Sequence, residues 1–170
     1  MKPITSRPDE APFAIERFLP FRLSVLSNRL TRAAARVYTR RFRLSAPEWR
    51  TLAVLGRYGA MNANAVVERT AMDKVRVSRA VARLLSAGQI TRHADAADRR
   101  RAVLELTPRG DGVYHDIVPL VRAVEDELLQ DLSGEERATL EHIFAKIEAR
   151  ARPMLQDEAV PSADDGEPTG

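Results

Sequence analysis

Apolar residues recur at three- and four-residue steps over most of the chain, which is typical of helices that bury one face. The first such stripe begins near Phe13 and ends near Arg43, and Pro20 is expected to interrupt or restart the helix. The apolar positions beyond this proline are Leu23, Leu26, Leu30, Ala34 and Val37. Residues 13–43 are therefore predicted to form a long helical region.

The next helix has a strong start signal, the capping-box sequence Ser45-Ala46-Pro47-Glu48. In such a box the serine hydroxyl accepts from the amide three residues on, and the glutamate accepts from the serine amide. The apolar side that follows consists of Trp49, Leu52, Ala53 and Leu55. Gly56 or Gly59 is expected to end this helix. Core packing, rather than ligand stacking, is the expected role of the tryptophan.

The middle of the chain carries the signals of two helices joined by a tight turn. Asn62 is placed to cap a short helix, Thr70 to Met72 form the turn, and Asp73 caps the second helix. That helix is expected to run to about Ala87, where Gly88 supplies a left-handed stop. The residues on its buried side are Val77, Ala80, Val81, Leu84 and Leu85.

Two short strands are predicted next, Ile90 to Ala94 and Ala102 to Leu106, with apolar residues alternating in the second. The loop between them, residues 95–101, is a cluster of charged side chains. A helix-turn-helix followed by a β-hairpin is the winged-helix layout, in which one helix enters the major groove and the hairpin lies beside it. The predicted fold is therefore mainly α, with a winged helix-turn-helix that carries a small β-hairpin wing.

Two further helices are expected after the hairpin. Thr107-Pro108 starts the first, and Pro119 should kink it because proline removes one backbone donor. Ser133-Gly134-Glu135-Glu136 is a second capping box and starts the last helix. After Pro153 the chain becomes acidic and contains Pro, Gly and Ser, so disorder is expected there.

The charge balance favours a nucleic-acid partner. The formal net charge of the 170-residue chain is +3, but residues 157–170 hold five acidic side chains and no basic one, so the rest of the chain is more basic. Arginine supplies almost all of the positive charge, since lysine occurs only at Lys2, Lys74 and Lys146. Guanidinium groups suit bidentate contacts to phosphate and to guanine. Simple solubility is the alternative explanation of the basic charge, and a source genome rich in G and C would give the same arginine bias.

Several classes of protein are disfavoured by what the sequence lacks. The absence of cysteine excludes disulfides, thiolate nucleophiles and cysteine metal sites. No apolar run approaches about 18 residues and no secretory signal is seen, so a soluble cytoplasmic protein without membrane contact is expected. The histidines are scattered without metal-ligand spacing, and no glycine-rich phosphate loop is found. We therefore expect no enzyme, no catalytic residue, no metal and no cofactor.

The helix after Asp73 carries the candidate DNA contacts on its outer face. Arg79 or Arg83 can pair with guanine through two hydrogen bonds, and Ser78 can bond a base edge or a phosphate. Lys74 can neutralise a phosphate. Solvated arginines on an ordinary amphipathic helix are the alternative, but the position between a three-residue turn and a charged hairpin favours DNA contact.

The loop sequence Asp98-Arg99-Arg100-Arg101 is the second candidate site, at the tip of the hairpin. Three clustered arginines repel one another, and a narrow minor groove, where the potential of DNA is most negative, would accommodate them. Asp98 can hold the guanidinium of Arg100 in a fixed orientation. A solvated turn is the alternative.

From Leu44 to Gly110 the chain resembles the MarR family of bacterial transcription regulators (the multiple antibiotic resistance regulators). The matching segments are SAPEWRTLAVLGRYG, MDKVRVSRAVARLLSAGQI and ADRRRAVLELTPRG, in the order and spacing of the family. By position, the resemblance implies DNA contacts by Val75, Arg76, Ser78, Arg79 and Arg83 of the recognition helix and by Asp98 and Arg100 of the wing. The family often has Pro and Arg where this chain has Ala96 and Ala97, so one phosphate contact fewer is expected from the wing.

The resemblance also implies an obligate homodimer, built from the first and the last two helices, that binds pseudo-palindromic operators. The chain would then comprise a flexible arm (1–12), an N-terminal dimerisation helix (13–43), a DNA-binding domain (44–106), C-terminal dimerisation helices (107–152) and a disordered acidic tail (153–170). Members of the family are commonly released from DNA by aromatic acids or related anions. A repressor with a small-molecule effector is therefore expected.

Arginines form a second stripe on the first long helix, at Arg22, Arg29, Arg32, Arg36 and Arg40. The stripe is either a solvated face or an anion-binding surface for DNA phosphate or an acidic ligand. Arg32, Arg36 and Arg40 are the candidates for binding an aromatic acid or its coenzyme A thioester. Two other functions stay open, a ligand-independent architectural DNA-binding protein and a protein-interaction module whose basic surface is incidental.

Overall fold

The computed structural model of the chain describes residues 13–94 and 102–156. The predicted arm (1–12) and residues 157–170 of the predicted tail lie outside the described residues. The elements are α1 (Leu19–Phe42), α2 (Ala46–Tyr58), α3 (Ala63–Thr70), α4 (Lys74–Ser86), β1 (Ile90–Ala94), β2 (Ala102–Leu106), α5 (Pro108–Leu128) and α6 (Gly134–Gln156). The mainly helical winged-helix fold that the sequence predicts is confirmed.

The first long helix begins where the sequence predicts an interruption. Phe18 precedes α1 in an extended conformation, and Pro20 lies in the first turn, where its missing amide costs no helical hydrogen bond. At the other end, Arg43 caps α1 in a left-handed conformation with φ 55° and ψ 31°. The chain then reverses through the buried Leu44 into α2.

The hydrophobic core is centred on α2, which packs against α1, α3, α4 and β2. Leu52 of α2 and Val66 of α3 have no exposed surface. The other fully or almost fully buried apolar residues include Leu55, Val77, Val81, Leu84, Ile90, Leu104 and Ile117. Because these residues come from α2, α4, the hairpin and α5, the core fixes α4 against the rest of the winged-helix domain.

Three aromatic rings join α1, α2 and α5 beside this core. The ring centroids of Tyr38 and Trp49 lie 5.8 Å apart, and those of Trp49 and Tyr114 lie 6.3 Å apart. A Cβ at Gly56 would lie 2.7 Å from the Tyr114 ring, so the close approach requires glycine there. Burial raises the pKa of Tyr38, and the charge of Arg50 partly offsets this rise. The tryptophan thus packs as expected.

The helix-turn-helix is formed by the predicted caps. The Asn62 side chain accepts a hydrogen bond from the Ala65 amide at 2.9 Å at the start of α3. Asp73 Oδ1 accepts from the Arg76 amide at 2.7 Å at the start of α4. Gly88 follows α4 with a φ of 65°, in the left-handed region that glycine adopts without strain.

The two strands have the predicted bounds and form an antiparallel hairpin. Ile90 pairs with Leu106 at its base and Ala94 with Ala102 at its outer end. Met61 adds a bridge to the hairpin: its amide donates to the Leu104 carbonyl at 3.0 Å, and the Leu104 amide donates back at 2.8 Å. The base of the wing is therefore tied to the segment that precedes α3.

The start of α5 is tied to the end of α4. Thr107 Oγ1 donates to the Gly88 carbonyl at 2.7 Å and accepts from the Gly110 amide at 3.1 Å. The Thr107 amide donates to the Gln89 carbonyl at 3.1 Å. A Cβ at Gly110 would collide with that same carbonyl oxygen, so glycine is required. The threonine cap predicted from the sequence is confirmed.

The chain divides into two compact units, residues up to 125 and residues from 126 on. In the second unit, the Ser133 amide donates to Glu136 Oε2 at 2.8 Å, and the Glu136 amide donates to Ser133 Oγ at 3.3 Å. The predicted capping box of α6 is therefore present. Because its carboxylate accepts hydrogen bonds from the Ser133 amide and hydroxyl, the pKa of Glu136 is lowered.

The last helix is longer than predicted. The sequence places the end of the helical region at residue 152 and disorder from Pro153, whereas α6 continues to Gln156 with Pro153 inside it. Proline loses its own amide hydrogen bond and its ring crowds the carbonyl four residues earlier, but the amides of the residues after it can still form helical hydrogen bonds. The predicted boundary at 152 is wrong by one helical turn.

Candidate nucleic-acid interface

The packing of α4 determines which of its side chains face solvent. Its buried side is formed by Val77, Ala80, Val81 and Leu84. The six predicted DNA contacts on this helix are all exposed, namely Lys74, Val75, Arg76, Ser78, Arg79 and Arg83. The structure therefore places them together on the solvent side of α4, which we call the recognition face.

Two short side chains on the recognition face suit direct contact with bases. Val75 is 59% exposed although it is apolar, and it lies one helical turn before Ser78. An apolar group can contact the methyl group of thymine, and a serine hydroxyl can bond a base edge. Their exposure between longer arginine side chains is consistent with a surface that approaches DNA closely.

The first arginine of α4 is held by the residue that caps the helix. Asp73 Oδ2 lies 3.2 Å from Arg76 Nε, in addition to the bond from the Arg76 amide. Both side chains are more than half exposed, so the ion pair contributes little to stability. Its effect is to keep the Arg76 guanidinium near the N-terminal end of the recognition face.

Arg83 is held by a carboxylate of α2, a contact that the sequence analysis missed. Arg83 Nε lies 2.8 Å from Glu48 Oε1, and Glu48 Oε2 accepts the Ser45 amide at 2.8 Å. The Glu48 side chain is only 6% exposed, while that of Arg83 is 78% exposed. Sequence spacing assigns Glu48 to the capping box, and nothing local indicates that its second oxygen reaches α4.

The hairpin contributes to the core at its base, and β1 is exposed beyond its first residue. In β1 only Ile90 is buried, and Thr91, Arg92, His93 and Ala94 are exposed. His93 Nε2 lies 4.0 Å from Glu105 Oε2 across the two strands. The predicted wing contacts Asp98, Arg99 and Arg100 lie outside the described residues, and their role stays a prediction.

The arginine stripe of α1 is exposed along its length, including the predicted ligand contacts Arg32, Arg36 and Arg40. Arg32 Nε donates to the Asn28 carbonyl at 3.4 Å. None of the three arginines lines any of the clefts seen around α2, α4 and the hairpin. Their role as a ligand site is therefore a proposal that the geometry of one protomer does not support.

Neither a metal-binding cluster nor a membrane-spanning helix is found within residues 13–94 and 102–156. No group of three or more His, Cys, Asp or Glu side chains within these ranges is arranged to hold a metal ion. None of the helices in the same ranges is long and apolar enough to cross a lipid bilayer. Among the described residues, the exposed basic side of α4 is the best-formed candidate site.

Comparison with known proteins agrees with this geometry. Residues 44–101, which contain α2, α3, α4 and β1, match the MarR family. The winged-helix domain of the chain is therefore of the MarR type. The fold of the chain is similar to the solved structure of BpsR from Bordetella bronchiseptica, with a TM-score of 0.72 and 23% identity over 81% of this chain and 98% of BpsR.

Relatives of known role are transcriptional regulators. The transcriptional regulator HosA of Escherichia coli O127:H6 is 27% identical over 104 residues, which are 61% of this chain and 77% of HosA. The transcriptional repressor NicR of Pseudomonas putida is 24% identical over 104 residues, which are 61% of this chain and 66% of NicR. The winged-helix domain of the chain is therefore similar to the domains of known transcriptional regulators.

Proposed function

We propose that the chain is a MarR-type transcriptional regulator, a homodimeric repressor that binds a pseudo-palindromic operator and is released by a small anionic aromatic ligand. It would act on chromosomal DNA in the cytoplasm without an enzymatic step. The observation that carries the proposal is the recognition face, where a helix fixed by the core presents three arginines, a lysine, a serine and a valine to solvent.

The arginines of this face supply both affinity and selectivity. Arg79 has no ion pair with any of the described residues, so its guanidinium is free to form two hydrogen bonds with a guanine. Arg83 is oriented by Glu48, which reduces the entropy lost when it contacts DNA. In a two-fold symmetric dimer, two such faces would enter successive major grooves about 34 Å apart.

Exposed apolar residues support the homodimer. In the segment before α1 and in its first turn, Phe13 is 71% exposed, and Phe18 and Phe21 are 47% and 41% exposed. In α6, considered by itself, Ile143 is 46% and Phe144 is 39% exposed. Clusters of exposed large apolar residues often mark an interface, and a second copy of the chain is the partner that the family suggests.

The ligand is proposed from the relatives. The DNA binding of BpsR is regulated by 6-hydroxynicotinic acid, a small aromatic acid. We propose a ligand of this class, with Arg36 and Arg40 as candidate contacts once a second protomer is present. Titration calorimetry with 6-hydroxynicotinic acid would compare the wild-type protein with Arg36→Ala and Arg40→Ala, and equal affinities would exclude the arginine stripe.

Enrichment of fragmented genomic DNA by the purified protein tests the proposed regulator directly. At physiological salt, we expect a few recovered sites that share an inverted repeat. Arg79→Ala should weaken binding by about 1–3 kcal/mol and relax the preference at one base pair of each half-site. Arg57→Ala, which removes the same charge at the far end of α2, is the matched control. Uniform recovery of all fragments would instead support an architectural DNA-binding protein.

A further inference from the structure

A cleft lies between the α1–α2 turn and the recognition helix α4. Its volume is about 550 Å³, and its lining is dominated by arginine side chains. The basic lining residues are Arg43, Arg76, Arg79 and Arg83, and the acidic one is Glu48. Three of these arginines belong to the recognition face, so the cleft is continuous with the surface proposed to contact DNA.

The acidic residue of the cleft, Glu48, already has an ion-pair partner. Glu48 Oε1 pairs with Arg83 at 2.8 Å, and Glu48 Oε2 accepts the Ser45 amide at 2.8 Å. Among the described residues, no carboxylate lies within 4.0 Å of the guanidinium nitrogens of Arg43 or Arg79. The cleft thus keeps an excess of positive charge, which comes from Arg43 on the α1–α2 turn and Arg79 on α4.

Arg43 occupies a backbone position that favours glycine. Its φ of 55° lies in the left-handed region, which residues with a Cβ seldom adopt, and it is the residue that caps α1. Strained residues are found where the surrounding structure or a function holds them. Here the strained residue carries a guanidinium that lines the cleft, so the backbone turn and the basic side chain occur together.

The open shape of the cleft favours a phosphate in a chain over a free ligand. The N-terminal residues Ser45 and Pro47 of α2 line it, and the positive end of a helix adds to the attraction for an anion. A helix that enters the major groove has a DNA backbone along its side, and backbone phosphates accept most protein–DNA hydrogen bonds. A backbone phosphate is therefore the anion that this cleft would meet.

We infer that the cleft between the α1–α2 turn and α4 binds a phosphate of the DNA backbone, held by Arg43 of the α1–α2 turn beside the recognition face. This inference rests on the proposed function. It adds Arg43, which lies outside the helix-turn-helix, to the DNA contacts. The ion pair with Arg83 offsets the negative charge of Glu48, which would otherwise repel the phosphate.

The test compares the wild-type protein with Arg43→Gly, in which the charge is lost but the backbone conformation is favoured. Affinity for the enriched operator and for an unrelated duplex of equal length is measured at several salt concentrations. We expect Arg43→Gly to bind both duplexes roughly tenfold more weakly. The plot of log K against log salt has a negative slope, and the magnitude of this slope should decrease by about 0.9 for each phosphate contact that is lost. The ratio of operator to unrelated-duplex affinity should be unchanged.

The controls separate this inference from the proposed regulator. Arg57→Ala should leave the affinity and the slope unchanged, and Arg43→Asn, which also tolerates the left-handed region, repeats the test if Arg43→Gly lowers the melting temperature. Operator selection with identical slopes for wild type and Arg43→Gly overturns the phosphate site and leaves the regulator standing. A lower slope without operator selection supports the site and overturns the regulator. No binding to either duplex overturns both.

A free anion is the remaining occupant to distinguish. Titration calorimetry of the wild-type protein with inorganic phosphate in the absence of DNA is expected to show no binding at millimolar concentration. Saturable binding of phosphate that Arg43→Gly abolishes, together with an unchanged salt slope on DNA, would assign the cleft to a free anion and overturn the inference.

Discussion

The DNA-binding domain and the first half of α1 show the same helical periodicity, but their apolar residues end in opposite environments. In the domain, Leu52 and Val66 are 0% exposed and Leu84 is 1% exposed. In α1, Leu26 and Leu30 are 48% and 38% exposed. Periodicity therefore identifies the residues that share a face, but it does not show whether the same chain covers that face.

This contrast separates what one chain stabilises from what a second copy is proposed to stabilise. The core of the domain collects side chains from α2, α3, α4, the hairpin and α5. The exposed residues of α1 have no such cover within residues 13–94 and 102–125 of the same unit.

The core of the domain should depend on Leu52 at any protein concentration. Leu52→Ala removes a fully buried side chain, and we expect the free energy of unfolding to fall by about 2–5 kcal/mol. Urea denaturation followed by circular dichroism measures this change. Leu26→Ala is the matched comparison, and its cost should vary with protein concentration because the contact is proposed to lie between protomers. A concentration-independent cost for Leu26→Ala would contradict the contrast.

A charge in the apolar face of α1 should separate the protomers without unfolding them. Leu26→Glu is expected to halve the mass observed by analytical ultracentrifugation and to weaken operator binding by at least about 100-fold, because the two half-sites are no longer bound together. Asn28→Glu introduces the same charge on the opposite face of the helix and should leave the mass unchanged. Equal masses for the two variants would rule out this face as the interface.

The ion pair with the buried carboxylate of Glu48 should make the exposed Arg83 important for stability. Arg83→Gln leaves Glu48 without its ion pair, and we expect the free energy of unfolding to fall by about 1–3 kcal/mol. Arg79→Gln, on the same helix but without an ion pair among the described residues, should change it by less than about 0.5 kcal/mol. A double-mutant cycle with Glu48→Gln measures the coupling, and a coupling near zero would show that the pair does not position Arg83.

The smallest effect concerns the cap of α6 and depends on pH. The Ser133 amide and hydroxyl lower the pKa of Glu136, so this interaction stabilises the folded protein above the ordinary pKa of glutamate and is lost as pH falls through the lowered pKa. Ser133→Ala should therefore reduce the melting temperature slightly at neutral pH. In acid the difference should become smaller, and the part due to the bond from the Glu136 amide to Ser133 Oγ should remain. A difference that grows as pH falls would have the wrong sign for this cap.

Much of the fold could be predicted because its signals are local. Asn62, Asp73, Thr107 and Ser133 cap helices through atoms that lie within three residues along the chain. The hairpin bounds follow from alternation and from the charged loop between the strands. The end of α6 could not be predicted from Pro153, because one missing amide does not decide whether the following residues remain helical.

The sequence by itself determined the winged-helix order of elements, the buried face of α4 and the six residues of the recognition face, because helical periodicity and capping depend on neighbours along the chain. Only the tertiary structure decided that Glu48 pairs with Arg83 and that Arg43 faces the recognition helix across a cleft. These contacts join segments that are distant in sequence. Their geometry is set by the packing of α2 against α4, which no local pattern contains.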